Sequence, residues 1–187
     1  MKLVVGSKSP RRKQLLEEMG YSFEIRIKET DETFPDSYSP SQAVCHIAEQ
    51  KAKVLQTTLT NDEVLLTADT IVCVDQQILG KPKDVADAQR MLQLLSGRAH
   101  QVITAVCVAT NTSLKTEFCT TQVTVKTLSE EEINYYINNY QPFDKAGSYG
   151  IQEWFGATSV EKIEGSYNNV VGLPTHLVYQ LLRPFKF

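Results

Sequence analysis

A single acid interrupts an otherwise apolar stretch of this chain. Val64-Leu65-Leu66 and Ile71-Val72-Cys73-Val74 read as buried strand on either side of Thr67-Ala68-Asp69-Thr70. An ionised carboxylate in such surroundings is costly unless it is paired, hydrogen-bonded or bound to metal. Two readings of Asp69 stay open. It caps a turn through neighbouring N–H groups or hydroxyls, or it serves as a base or metal ligand at a strand end, since perturbed acids gather at functional sites. Cations are clustered elsewhere. In Val5-Gly6-Ser7-Lys8-Ser9-Pro10-Arg11-Arg12, two arginines and several hydroxyls precede a helical pattern. Unpaired backbone N–H groups and the macrodipole at a helix start favour an anion, and arginine adds forked donors suited to phosphate. A capped helix with solvated arginines is the plainer alternative. Lys51 lies on the apolar stripe of a second helical pattern, four residues from both Ile47 and Leu55, so it either snorkels outward or is aimed into a site. Lys81, between Gly80 and Pro82, is biased to an extended backbone. Glu32 belongs to the acidic loop Glu29-Thr30-Asp31-Glu32-Thr33-Phe34-Pro35, read as a solvated turn or as a metal or ribose contact.

The last chemical stretch is Asp144-Lys145-Ala146-Gly147-Ser148-Tyr149-Gly150-Ile151-Gln152. Two glycines three apart let backbone approach a ligand closely, and the amide of Gln152 carries both a donor and an acceptor. A tight turn with incidental polar neighbours competes with that reading. Neither the dinucleotide-binding nor the P-loop glycine spacing is present.

The elements that must hold these groups alternate between strand and helix patterns. Leu3-Val4-Val5 gives a first strand, Ser9 and Pro10 the cap and first position of a helix, and Leu15, Leu16 and Met19 its apolar stripe. Phe23, Ile25 and Ile27 alternate with charged residues as a half-buried strand. A helix is expected from Ser41 to about Leu55, with Val44, Ile47, Ala48 and Leu55 on its buried face. Gln76-Gln77 turns the chain. From Asp84 to about Leu95, Val85, Ala88, Met91, Leu92 and Leu95 form one stripe of a helix that covers the sheet. His100–Ala109 and Thr116–Thr127 read as a hairpin through Asn111-Thr112-Ser113. Ser129 and Glu132 make a capping box before Ile133, Tyr136 and Ile137. A second glycine-containing passage, Gly165 to Pro174, leads into a last helix packed through Leu177, Leu181 and Leu182.

With 187 residues and 42% hydrophobic content, the chain suits one substantial domain, taken as 1–187. A net charge of -3 provides no global basic field, which argues against a broad nucleic-acid or anionic-membrane partner. No apolar run reaches the length of a membrane span and Met1-Lys2 leads straight into a strand, so a cytoplasmic location is expected. The four cysteines lack metal-knuckle spacing and read as reduced, while three scattered histidines disfavour a His-rich metal centre. Any divalent ion would need oxygen ligands.

Taken in order, Ser7-Lys8-Ser9-Pro10-Arg11-Arg12, Ala68-Asp69-Thr70, Leu79-Gly80-Lys81-Pro82, Leu95-Ser96-Gly97-Arg98, the Asp144–Gln152 block and Val171-Gly172-Leu173-Pro174 closely resemble the Maf family of nucleoside triphosphate pyrophosphatases, essentially end to end. The Asp144–Gln152 block resembles the branch acting on dTTP and UTP. Gly6 stands where alanine is usual, and Glu153-Trp154 replaces the common glycine after the glutamine. The resemblance implies an α/β fold with an elongated mixed sheet flanked by helices and a deep central cleft, similar to inosine triphosphate pyrophosphatases, and a homodimer. It implies cleavage of a pyrimidine nucleoside triphosphate, canonical or modified, to monophosphate and pyrophosphate with a divalent cation, Mg or Mn. By the same resemblance Asp69 is the proton acceptor, while Arg12, Thr70 and Gln152 set substrate preference. Ser7, Arg11, Lys51 and Lys81 surround the phosphates, and Glu32 with Asp69 lies near the metal. A nucleotide-binding regulator of septum formation without turnover is the competing class.

Overall fold

Three apolar residues ahead of Gly6 form the core of strand β1 (Lys2–Val5), and the chain then turns into helix α1 (Pro10–Glu18). The Ser9 hydroxyl accepts from the Arg12 N–H at 3.4 Å, and Pro10 occupies the first turn, where its missing N–H costs nothing. Strand β2 (Phe23–Ile25) runs parallel to β1, pairing Leu3 with Phe23 and Val5 with Ile25. The alternation in sequence extended to Ile27, but β1 ends at Val5 and offers no further ladder, so Ile27 is exposed.

Helix α2 (Pro40–Gln56) starts slightly earlier than its apolar pattern suggested, because Ser39 and Gln42 close a reciprocal capping box around Pro40. Strand β3 (Glu63–Val74) is unbroken. Both readings of Asp69 place it at a break in the strand, a turn or a strand end, and neither break is present: Asp69 sits in mid-strand, and it and Thr70 are the two less buried positions of the twelve. β1 pairs in parallel with Glu63–Leu66, and β4 (Gln77–Leu79) pairs antiparallel with Val72–Val74, leaving Thr67–Ile71 outside both ladders. The β3–β4 turn is made by Asp75 and Gln76, at φ 48° and 67°, one residue before the expected Gln76-Gln77. Positive φ at both central positions matches the twist of a tight hairpin.

Helix α3 (Val85–Leu95) is capped by Asp84 and buries Ala88, Met91, Leu92 and Leu95, while Val85, expected on that stripe, is exposed. The hairpin follows as β5 (Ala99–Ala109) and β6 (Leu114–Val125). Helix α4 (Glu130–Tyr140) opens on the Ser129–Glu132 capping box. Two short 3-10 turns, helix α5 (Trp154–Ser159), strand β7 (Val160–Glu164) and helices α6 (Tyr167–Val171) and α7 (Thr175–Leu182) complete the chain. In α7 the buried residues are Val178, Leu181 and Leu182; the expected Leu177 is only half-buried. The seven strands form a mixed sheet in the order β2-β1-β3-β5-β6-β7, with β4 on β3, and helices flank it: an α/β fold.

This computed structural model describes residues 1–187, which divide into two compact units. The first comprises Met1–Thr70, Thr104–Cys119 and Gly172–Phe187. Its core includes Leu3, Val4, Leu16, Val44, Ala48, Leu65 and Leu182. Gly6 is held tightly there: a Cβ would lie 2.8 Å from Thr67 Cγ2 and 2.9 Å from Leu55 Cδ1, which accounts for glycine rather than alanine at this position. The second unit, Ile71–Ile103 and Thr120–Val171, is built on Val72, Leu79, Met91, Leu92, Val123, Ile133, Tyr136 and Phe155. His100 is buried in it at 2% exposure, with Nε2 2.7 Å from the Tyr149 hydroxyl and Nδ1 without a hydrogen-bond partner. Burial pushes its pKa down to about 4. All four cysteines are free thiols, and no helix is long and apolar enough to cross a membrane.

Candidate active site

The cap that starts α1 also fixes Arg12, whose side chain turns back toward the first unit's sheet instead of into solvent. Arg12 Nε donates to Gly172 O at 2.8 Å, Nη1 to Ala68 O at 2.8 Å and to Ser7 Oγ at 3.3 Å, and Nη2 to Thr70 Oγ1 at 3.0 Å. One guanidinium therefore ties the β1–α1 turn to β3 and to the segment before α7. Burial lowers its pKa from the ordinary guanidinium value, and the charge of Asp69 opposes that shift. Thr70 Oγ1 also lies 2.9 Å from Thr104 Oγ1. The Ser7 hydroxyl is buried and accepts the Ser9 N–H at 3.2 Å, so the turn is ordered before any ligand arrives. Arg11, one position earlier, is half-buried on the same helix start.

Lys51 lies on the apolar face of α2. It does not snorkel to solvent; its Nζ lies 2.6 Å from Asp69 Oδ1 and 2.9 Å from Glu32 Oε1. The partner that a carboxylate inside β3 requires is thus an ammonium from a neighbouring helix, and the turn-capping alternative for Asp69 falls away. Asp69 and Lys51 are both largely shielded, while Glu32 reaches in from the acidic loop with about half its side chain exposed. The acidic loop is in this respect more than a solvated turn. Ser7, Arg12, Glu32, Lys51, Asp69 and Thr70 all belong to the first unit and fall into two polar groups, Ser7 and Thr70 on Arg12 and Glu32 and Asp69 on Lys51, with the charge of Asp69 felt at Arg12.

Two carboxylates converging on one cation test whether a divalent ion suits these residues. Mg and Mn take hard oxygen ligands, and Mg is commonly held by one or two carboxylates completed by waters and substrate phosphates. Asp69 and Glu32 supply that donor set. No cluster of three or more carboxylate, imidazole or thiol groups is gathered as an all-protein metal cage.

The remaining expected residues lie in the second unit. Lys81 is exposed just beyond β4, and Gln152 is exposed in the loop before α5. The glycines of that loop serve the protein's own packing. Gly147 has φ 68° and its missing Cβ would meet Val72 at 2.9 Å, while a Cβ on Gly150 would strike the Glu153 carboxylate at 2.8 Å. The expectation that these glycines leave room for a ligand gives way to close approach of Val72 and Glu153. Residues given no site role from sequence carry much of the order: Thr104 and the carbonyls of Ala68 and Gly172 around Arg12, and Tyr136 and Glu153 around the loop. Gly172 lies in a glycine-containing passage, Ala68 in the motif around Asp69, and Glu153 stands where a glycine is common, while Thr104 left no signal in the sequence.

The family described as Maf-like protein matches residues 2–185. A protein of Flavobacterium johnsoniae named dTTP/UTP pyrophosphatase is 47% identical over 97% of this chain and 93% of its own length. One of the same name from Porphyromonas gingivalis is 45% identical over 98% of this chain and 94% of its own. Among solved structures, a nucleoside-triphosphatase, or dITP/XTP pyrophosphatase, of Mycobacterium abscessus aligns at 18% identity and a TM-score of 0.42, over 67% of this chain and 73% of that one.

Proposed function

The chain belongs to the Maf-like protein family, and we propose that it hydrolyses the pyrimidine nucleoside triphosphates dTTP and UTP, canonical or modified, to the monophosphate and pyrophosphate. The observation that carries this reading is the placement of Asp69 in mid-strand with Lys51 Nζ at 2.6 Å, beside an arginine-bearing helix start. A structural acid needs one compensating cation but has no need of the arginine-bearing helix start as well. A carboxylate that must accept a proton next to a polyanion does, because the cations hold the phosphates where the acid can act.

In the proposed reaction, Ser7, Arg11, Lys51 and Lys81 bind the phosphate chain. Asp69 accepts a proton from water as its oxygen attacks the α-phosphorus. The bond to the bridging oxygen breaks and its electron pair leaves with pyrophosphate, whose developing charge the same cations stabilise. Substrate phosphates would draw the Lys51 ammonium from its carboxylate partners, freeing Asp69 as an acceptor. Asp69 and Glu32 would hold the divalent cation, Mg or Mn, which when bound offsets phosphate charge and makes water more acidic. Gln152 pairs with the imide edge of uracil or thymine through its amide donor and acceptor. Arg12 and Thr70 shape substrate preference. The family resemblance supports a homodimer, and we place the chain, taken as one domain, in the cytoplasm.

The test is Asp69→Asn. We expect folded protein whose pyrophosphate release from dTTP and UTP falls by about two or more orders of magnitude, as for loss of a general base. Near-normal turnover in that variant would overturn the assignment. A panel of canonical and modified triphosphates, with pyrophosphate and monophosphate quantified together, separates this reaction from a phosphatase, which would yield inorganic phosphate. It also separates it from a regulator that binds pyrimidine nucleotides without turnover.

A further inference from the structure

The loop that ends at Gln152 is closed on itself by an acid that the proposed chemistry does not use. Glu153 directs its two oxygens to different partners. Oε1 lies 3.0 Å from Lys145 Nζ, and Oε2 accepts from the Tyr136 hydroxyl at 2.5 Å. That hydroxyl in turn accepts the Gly150 N–H at 2.9 Å. Lys145, whose side chain is only 10% exposed, is also paired with Asp144 at 2.7 Å. The residues at the two ends of the segment are therefore bridged, and its middle is fastened to α4 through Tyr136, which is fully buried. Further bonds hold the entry side: Gly147 donates to Gly80 O at 3.0 Å and Ser148 to Lys145 O at 3.1 Å.

Gln152 is exposed and lies between two fixed neighbours, Ile151, 8% exposed, and Glu153. Trp154, on the far side of Glu153, packs against Tyr135 and Tyr136 with ring centroids at 5.0 and 6.3 Å. A glutamine that must present one donor and one acceptor to a base gains from a backbone already held in place, since ordering a free loop on binding would subtract from affinity. We propose that Glu153 is a positioning residue for pyrimidine recognition: its clasp of Lys145 and Tyr136 sets the backbone from which Gln152 reads the base. This rests on the pyrimidine reading given above and adds the residues that make it selective.

The experiment compares Glu153→Gln and Tyr136→Phe with the unaltered protein. Glu153→Gln keeps an oxygen for Tyr136 and removes the ion pair with Lys145; Tyr136→Phe keeps the ion pair and releases Gly150. Hydrogen exchange of the ligand-free proteins is expected to quicken about tenfold at amides 147–152 in both variants, with the other elements unchanged. In steady-state assays, KM for UTP should rise about tenfold while kcat changes by less than about twofold, the pattern of lost ground-state positioning. Inhibition by pyrophosphate, which has no base, should be unaltered. In a Lys145→Arg variant, which retains the bridge, KM should return close to that of the unaltered protein. Unchanged exchange at 147–152 in both variants would overturn the proposal. So would a rise in KM for UTP matched by equal weakening of pyrophosphate inhibition, because the clasp would then be structural only. Should Glu153→Gln fail to fold, Tyr136→Phe decides the question alone. Failure of the unaltered protein to release pyrophosphate from UTP or dTTP would instead refute the proposed reaction, and the exchange measurement, which needs no substrate, would still decide the clasp.

Discussion

Replacing His100 by glutamine should remove a specific part of the protein's acid sensitivity. The ring is 2% exposed, its Nδ1 has no partner, and its pKa is pushed from 6.5 to about 4 by burial. A base with a depressed folded pKa is protonated first in the unfolded chain. Its contribution is therefore intact above about pH 6.5, where both states are neutral, and erodes as pH falls toward about 4. One pKa unit is on the order of 1 kcal/mol, so the full window is worth about 3 kcal/mol, and the part between about pH 7 and pH 5 about 2 kcal/mol. Glutamine does not titrate and keeps a polar group facing Tyr149. Urea denaturation of both proteins at those two pH values gives a double difference in which the shared carboxylates cancel. The wild type should lose about 2 kcal/mol more than His100→Gln, or roughly 4–8 °C in melting temperature for a chain of this size. Parallel losses in the two proteins would show that His100 binds its proton equally in both states, and the burial argument would fail.

Other substitutions probe the first unit's polar groups and the tight glycines. Arg12→Lys should lower stability by about 1–3 kcal/mol and reduce turnover at least tenfold, because one ammonium cannot replace a fork that holds Ala68 O, Gly172 O and Thr70 Oγ1 together. Wild-type melting temperature in that variant would contradict the tethering role. Gly6→Ala should cost about 1–2 kcal/mol in a denaturant melt, since Thr67, locked by its hydroxyl bond to Ala48 O at 2.7 Å, cannot easily yield to the new methyl. A neutral effect would mean that Leu55 and Thr67 repack freely. Gly147→Ala combines a positive φ with a collision against Val72, so it should cost about 2–4 kcal/mol alone and about 1–2 kcal/mol in a Val72→Ala background. Equal costs in both backgrounds would remove the steric half of that explanation.

Local hydrogen-bonding grammar was readable in the chain. Ser9-Pro10 and Ser129 with Glu132 cap helices through bonds spanning only a few residues, so sequence alone carries them. Asp69 was conspicuous for its company but misplaced in the fold: a carboxylate in an apolar run looks like a break until Lys51, on another helix, is seen to answer it. The β3–β4 hairpin was blurred because Asp75-Gln76 adopts a conformation usually signalled by asparagine and glycine. Gly147 and Gly150 were legible as places of close approach, but not what approaches them, since Val72 and Glu153 arrive through tertiary packing. Ile27 and Val85 kept the right periodicity and lie outside the core, where no partner element reaches them.

Strand β3 also carries two very different folding histories. Its far end meets β4 across a two-residue turn, Val74 opposite Gln77, a closure available within microseconds of chain collapse. Its near end must find β1, with Lys2 opposite Glu63, across a loop that includes α1, β2 and α2. Loop-closure entropy delays that parallel pairing, so the carbonyl and amide edge beside Leu66 is completed late. Asp69 lies between the early and late ends, and the ordering of its surroundings through Arg12 waits on the arrival of β1 and α1. A nascent chain would thus complete its hairpin long before it assembles the polar group around that acid.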